Sequence, residues 1–171
     1  MHRSFGRRVF CFSRFHRPQP GERHRSSGEM VLLKIPDLIH ELVDSGRWPR
    51  DDQMAIRQNL KSLAAPERIA ILAPDETTLF LLPPPFLTVR EKSRRNKYWL
   101  HKYSAPHMID FDLAVDIGDF GLGSDAPILL DYRTDNSNPS VIRLKWSPDG
   151  TANRWVPMAD NIQQFVEVLN L

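Results

Sequence analysis

Residues 118–133 read GDFGLGSDAPILLDYR, and the fold turns on how this stretch is read. Gly118, Gly121 and Gly123 punctuate a turn, and a strand Ile128 to Tyr132 follows, apolar through Leu130 and ending in Asp131-Tyr132-Arg133. Glycines before an apolar run invite a phosphate-loop reading. The spacing is G-x-x-G-x-G, however, and no Lys-Ser or Lys-Thr comes after it. An anion cradle of that kind also needs a helix N-terminus next, and here the continuation reads as a strand. The glycines are therefore expected to permit a tight turn. Downstream, 135–139 is a loop of Asp, Asn, Ser and Pro. Val141 to Trp146 alternates, with Ile142, Leu144 and Trp146 on one face and Val141, Arg143 and Lys145 on the other. Pro148-Asp149-Gly150 makes a turn and Trp155-Val156 a third strand of a meander. Asp160 and Gln163 have capping-box spacing. Ile162, Phe165, Val166 and Leu169 form the apolar stripe of a final helix lying across the sheet.

Upstream the pattern is helical. Pro36-Asp37 opens a helix with Leu38, Ile39 and Leu42 on one face, and Gly46 stops it. A second begins near Asp51 or Asp52, with a stripe of Met54, Ile56, Leu60 and Leu63. A short third starts at Pro66. Thr78 to Leu82 reads as a strand ended by Pro83, Pro84 and Pro85. Thr88 and Glu91 have capping-box spacing, which predicts a helix from about Val89 to Tyr103. Leu113 to Ile117 is a short strand or a helix; the two are not separated by pattern. The whole reads as an α+β fold: N-terminal helices, a twisted mixed or antiparallel sheet, and a C-terminal helix packed on it.

Composition bounds the function. The chain of 171 residues, 41% hydrophobic and 26% charged, suits one soluble globular domain able to bury a core without a staple. Cys11 is the only cysteine, so no internal disulfide forms, which fits a reducing, cytoplasmic setting. No apolar run approaches the ~18 residues of a membrane span, so no membrane partner is expected. Charge is uneven. Residues 1–29 carry seven arginines against Glu22 and Glu29, a net +5, and leave −3 on 30–171. The basic segment has no secretory-signal pattern and resembles a transit peptide in composition alone. It is expected to be a disordered extension, with Met30 the expected start of the protein and 30–171 the domain.

No catalytic motif emerges. There is no G-x-S-x-G, and His40, His101 and His107 lack zinc-ligand spacing. The acidic run Asp110, Asp112, Asp116, Asp119 and Asp125 does not keep calcium-loop spacing. No catalytic residue, metal or cofactor is assigned. The stretch from Arg90 to Tyr103 interleaves Arg94, Arg95, Lys97 and Lys102 with Tyr98 and Trp99. It can stack bases and hold phosphates, but the domain around it is acidic, so nucleic acid is an unlikely partner and an acidic protein a better one. Tyr132, Trp146 and Trp155 beside Asp131 and Arg133 either line a binding groove or form core with a structural ion pair.

Several of these residues carry a resemblance: Ile117 to Gly121, Ala126-Pro127-Ile128 with Leu130 to Arg133, Pro139 before Val141, and Trp155-Val156 ahead of the last helix. With the runs Leu38 to Pro49 and Leu81 to Pro85, the chain resembles bacterial members of the SUKH superfamily, named in part for the yeast cell-wall assembly regulator. A proline-aromatic helix ending in Asn-Gly-Gly, common in that family, is missing, and Tyr98 to Tyr103 stands in its place. The resemblance implies a non-enzymatic protein-binding module, among bacterial relatives often an immunity protein that neutralises a toxin. On that reading Asp119, Asp125 and Asp131 enter a basic site on the partner, with Tyr132, Arg133 and Trp155 beside them. The alternatives are a small hydrolase built on Asp119, Asp131 and a histidine, and nucleic-acid binding through 90–102.

Overall fold

In the computed structural model, residues 33–120 and 126–171 are described. They belong to one unit, Val31–Leu171. The extension 1–29, Met30 and the glycines Gly121 and Gly123 lie outside the described residues. Five strands form one antiparallel meander in the order β1-β2-β3-β4-β5: β1 Phe80–Leu81, β2 Ala114–Asp119, β3 Pro127–Asp131, β4 Ser140–Lys145 and β5 Arg154–Ala159. Helices α1 Asp37–Asp44, α2 Asp52–Arg57 and α3 Pro66–Leu72 precede the sheet, α4 Val89–Arg95 falls between β1 and β2, and α5 Ile162–Leu169 closes the chain. The α+β class is as the sequence predicts, and every strand pairing is antiparallel.

Strand alternation sorts the core onto two faces. Val115, Ile117, Ile128, Leu130 and Val141 meet Ile39 and Leu42 of α1, Ile69 of α3 and Phe165 and Leu169 of α5. On the opposite face Ala114, Leu129, Ile142, Leu144 and Trp155 meet Val89 of α4, Trp99 and Phe111. Covering both faces explains why Ile128 to Leu130 is apolar without alternation. It also resolves 114–117 as strand, with Leu113 just before it, because β2 runs between two hydrophobic layers.

Local chemistry sets the ends. Asp37 pairs with Lys34 at 2.8 Å, and Gly46 turns the chain at a φ of 75°. Trp48 is then fully buried, its indole Nε1 donating to Leu82 O at 2.8 Å. The Thr88–Glu91 capping box forms. The helix it starts is shorter than predicted, ending at Arg95. Asn96 accepts from the Tyr98 N–H at 2.9 Å and opens a 3₁₀ segment, Lys97–Leu100, and His101 accepts from the Tyr103 N–H and opens a second, Lys102–Ser104. A competing side-chain cap of this kind takes the backbone out of the α-helix. In α5 the cap is Asn161, one residue beyond Asp160, and Gln164 Oε1 accepts the Asp160 N–H at 2.6 Å.

The second helix departs most from its pattern. It stops at Arg57, leaving Ile56 and Leu60 exposed, the latter at 92%. Gln58 is buried instead. Its carboxamide accepts the Leu81 N–H at 2.9 Å and donates to Leu81 O at 2.8 Å. The outer edge of β1 thus pairs with a side chain where a sheet would supply a strand. Six helical residues do not hold by themselves, so this two-point bond and the capping of Met54 N by Asp51 are what seat α2.

Gly118 is a strand residue, not a turn residue. It pairs with Leu81, and a Cβ there would lie 2.6 Å from the Phe80 carbonyl oxygen. Backbone cannot swing aside as a side chain can. Gly118→Ala is expected to push β1 off β2 and destabilise the domain by about 1–3 kcal/mol in urea unfolding. Gln58→Ala, which orphans both polar groups of Leu81, is expected to cost about 2–3 kcal/mol in the same experiment.

Candidate functional site

A strand buried on both faces is a costly place for a free charge, and Asp116, Asp131 and Arg143 of the sheet each have an ion-pair partner. Asp131 is buried, 6% exposed, at the end of β3. Arg133 Nε donates to its two carboxylate oxygens at 2.9 and 3.0 Å, and Nη2 donates at 2.6 Å. Nη1 of the same guanidinium donates to Met108 O at 2.7 Å. The Asp131 bonds hold the Arg133 guanidinium above its ordinary pKa. Arg143, 3% exposed on β4, pairs with Asp75 and has the Phe120 ring 5.5 Å from its guanidinium carbon. Tyr132 is 1% exposed; its hydroxyl donates to Lys34 O at 2.9 Å, and burial pushes its pKa up. Trp155 stacks on Trp99 at 6.5 Å and donates from Nε1 to Ser104 O at 2.8 Å.

Of the six residues singled out from sequence, four have their polar groups engaged within the chain: Asp131, Tyr132, Arg133 and Trp155. Asp119 is buried on β2, and Asp125 lies outside the described residues. Of the residues for which two readings were left open, Tyr132 and Trp155 are core and Asp131–Arg133 is an ion pair, whereas Trp146 is 38% exposed. Asp131 and Arg133 close on each other. His40, His101 and His107 are all exposed. Among the described residues no group of three His, Cys, Asp or Glu side chains is placed to hold a metal ion. No helix among them is long and apolar enough to cross a membrane.

Two features remain where a ligand or partner can act. The first is a recess of about 240 Å³ between α4 and β2. Asp116 and Asp119 of β2 form its acidic floor, both buried, and Lys92, Arg95 and Asn96 stand on the α4 side. The Lys92 ammonium pairs with Asp116 Oδ2 and lies 6.0 Å from the centre of the Trp99 ring. Asp116 Oδ1 has no hydrogen-bond partner among the described residues, and the Gly118 amide favours the charged form of the carboxyl. Burial raises the Asp116 carboxyl above the usual carboxylate range, and Lys92 opposes the rise.

The second is an exposed aromatic edge. The second 3₁₀ segment places Tyr103 6.3 Å from Trp146, just past β4, and they are 39% and 38% exposed. His101 packs 4.5 Å from Tyr103, and the Lys102 ammonium sits 5.3 Å from the same ring. Gly150, at a φ of 68°, brings the 148–150 turn under both aromatic rings. Leu100 is exposed nearby in sequence at 59%, and Arg94, Arg95, Lys97 and Lys102 all face solvent. None of these four cations closes an ion pair among the described residues. Sequence reasoning placed Trp146 with Ile142 and Leu144, and Tyr103 at the end of a helix; neither expectation shows that the two meet outside.

No protein-family model, curated protein or solved structure matches the chain.

The Lys92–Asp116 pair is testable by itself. Lys92→Met leaves a buried carboxylate without its counter-charge and is expected to cost about 2–4 kcal/mol of unfolding free energy at pH 7. The carboxyl pKa in the folded variant then stands further above its unfolded value. The penalty is therefore full above the folded pKa and falls as pH drops toward the unfolded value of 3.8. Urea melts at pH 7 and pH 4 should show a smaller wild-type-to-variant gap at pH 4.

Proposed function

We propose that the chain is a non-enzymatic protein-binding module whose docking surface is the exposed Tyr103–Trp146 edge, with an acidic protein as its partner. The observation that carries this reading is the pairing of two large aromatics at the surface, with the Lys102 ammonium against one of the rings. Aromatic side chains that are rigid, half-exposed and close together are the usual anchors of protein interfaces. Lys97 and Lys102 give the surface a sign, and a carboxylate-rich partner complements it. The SUKH resemblance supports the same class of function and extends it to neutralisation of a toxin in a bacterial cytoplasm. The electrostatics proposed here run opposite to the expectation from Asp119 and Asp131, since those carboxylates are interior.

The test is affinity capture from the native source with the wild-type protein and the double variant Tyr103→Ala/Trp146→Ala, followed by titration with the purified captured protein. The double variant is expected to weaken that binding by 100-fold or more, on the order of 3 kcal/mol. Lys102→Glu should slow association several-fold at low salt and much less at high salt. Co-expression of the partner, where it is toxic, should be tolerated with the wild-type chain and not with the double variant. Equal capture by both proteins removes this surface from the reading. Tight binding to single-stranded DNA with a steep salt slope, and no protein partner, would replace it with the nucleic-acid alternative.

A further inference from the structure

The recess between α4 and β2 takes no part in the docking surface proposed above, and its chemistry is of a different kind. Asp116 lies at depth, 4% exposed, and Arg95 faces solvent on the last turn of α4. Between them the wall is apolar: Leu82, Leu87, Pro127 and Trp99. The space is about 240 Å³. That is below the roughly 300–1,000 Å³ of drug-sized sites, so the occupant is small.

Each end of the recess has one unmet group. At depth, Asp116 Oδ2 is taken by the Lys92 ammonium, while Oδ1 is buried and has no hydrogen-bond partner among the described residues. A buried carboxylate oxygen without a donor is costly, and native proteins rarely leave one unless something else fills the place. Asp119, the other carboxylate of the floor, has an interaction of its own within the chain, and the vacancy is that of Asp116 Oδ1. At the mouth, the Arg95 guanidinium closes no ion pair among the described residues.

The two vacancies specify different groups. Lys92 already neutralises Asp116, so the donor wanted at Oδ1 is an uncharged one; an added ammonium would sit against the first. A hydroxyl brings one proton to one vacant oxygen, whereas an amide or an ammonium carries surplus donors against an apolar wall. A phenol is more acidic than an alcohol and therefore the stronger donor to a carboxylate. Its ring also sets hydroxyl and acid at opposite ends of one small body with few rotatable bonds to freeze. We infer that the recess is a binding site for a small phenolic acid, with its hydroxyl donating to Asp116 Oδ1, its ring against Leu82, Leu87 and Pro127, and its carboxylate facing Arg95.

The inference does not depend on a protein partner, and it stands or falls separately from the docking surface. The probe is 4-hydroxyphenylacetate, titrated calorimetrically into the full-length protein at low ionic strength. Two relatives of it serve as controls: phenylacetate, which lacks the hydroxyl, and 4-methylphenol, which lacks the carboxylate. The probe is expected to bind saturably with Kd below about 1 mM. Phenylacetate should bind at least about tenfold more weakly, because it leaves Asp116 Oδ1 without its donor. For 4-methylphenol the loss should be about fivefold or more, less than for phenylacetate because Arg95 is exposed and screened. Arg95→Ala, a change at an exposed position, should bring the probe down to the affinity of 4-methylphenol and leave 4-methylphenol itself unchanged. Asp116→Leu should remove the advantage of the probe over phenylacetate. Should Asp116→Leu fail to fold, the comparison of the three compounds on wild type and the Arg95→Ala result still decide. Absence of saturable binding by 4-hydroxyphenylacetate and 4-hydroxybenzoate up to about 10 mM would overturn the inference. So would phenylacetate binding as tightly as the probe, or an Arg95→Ala variant that binds the probe like wild type.

Discussion

The constraint on which the structure depends is that the central strands β2 and β3 have no wet face. Every described residue from Ala114 to Phe120 and from Ala126 to Tyr132 is buried. An antiparallel meander usually leaves one side to water. Here α1, α3 and α5 cover one side, and α4, the 3₁₀ segments and Trp99 cover the other. Charges in the strands then have to find partners on the covering layers: Asp116 with Lys92 of α4, Arg143 with Asp75, Asp131 with Arg133 just past its own strand. Such pairs add little net stability, because the desolvation cost offsets most of the attraction. Their effect is positional. Lys92 meeting Asp116 fixes α4 over β2, and Arg143 meeting Asp75 fixes the segment after α3 against β4.

The same constraint separates what was legible in the sequence from what was not. The strands of the C-terminal half and the last helix follow directly from apolar periodicity, since that periodicity is the imprint of two covered faces. Helix starts at Asp51, Pro66 and Thr88 follow from side chains that act within three residues of themselves. What was not legible depends on contacts far away in sequence. Nothing near Gln58 indicates that Leu81 will be its partner, 23 residues on. A stripe through Met54, Ile56 and Leu60 looked like a helix face because the breaking of that helix is decided at β1. Gly118 looked like a turn glycine beside Gly121 and Gly123, yet its reason is the Phe80 carbonyl pressed against it.

The candidate sites were hidden by a related effect. Asp116 stands alone in Ala-Val-Asp-Ile, an acid with apolar residues on both sides, and that isolation was the available signal for an internal partner. It was masked by the neighbouring Asp110, Asp112 and Asp119, which made it look like one member of an acidic run. A continuous helix from 89 to 103, as the sequence predicts, has a single buried face for its aromatics. The 3₁₀ segments rotate successive residues differently, so that Trp99 goes inward to Trp155 while Tyr103 goes outward to Trp146. A period of 3.6 cannot forecast a division made by a period of three.

Net charge is the least transferable part of the sequence reading, and the reason is geometric. Residues 30–171 sum to −3, which argued for an acidic surface meeting a basic partner. A sum does not know where its members lie. Asp116, Asp119 and Asp131 are all inside, and Arg94, Arg95, Lys97 and Lys102 are all outside on one continuous stretch of chain. A partner approaching that stretch meets field lines from the cations close at hand, and carboxylates more than a Debye length of ~8 Å away contribute little to what it feels. The sign of the local surface is therefore set by burial and not by composition. The domain can be acidic as a whole and still present a basic, aromatic edge to whatever it binds.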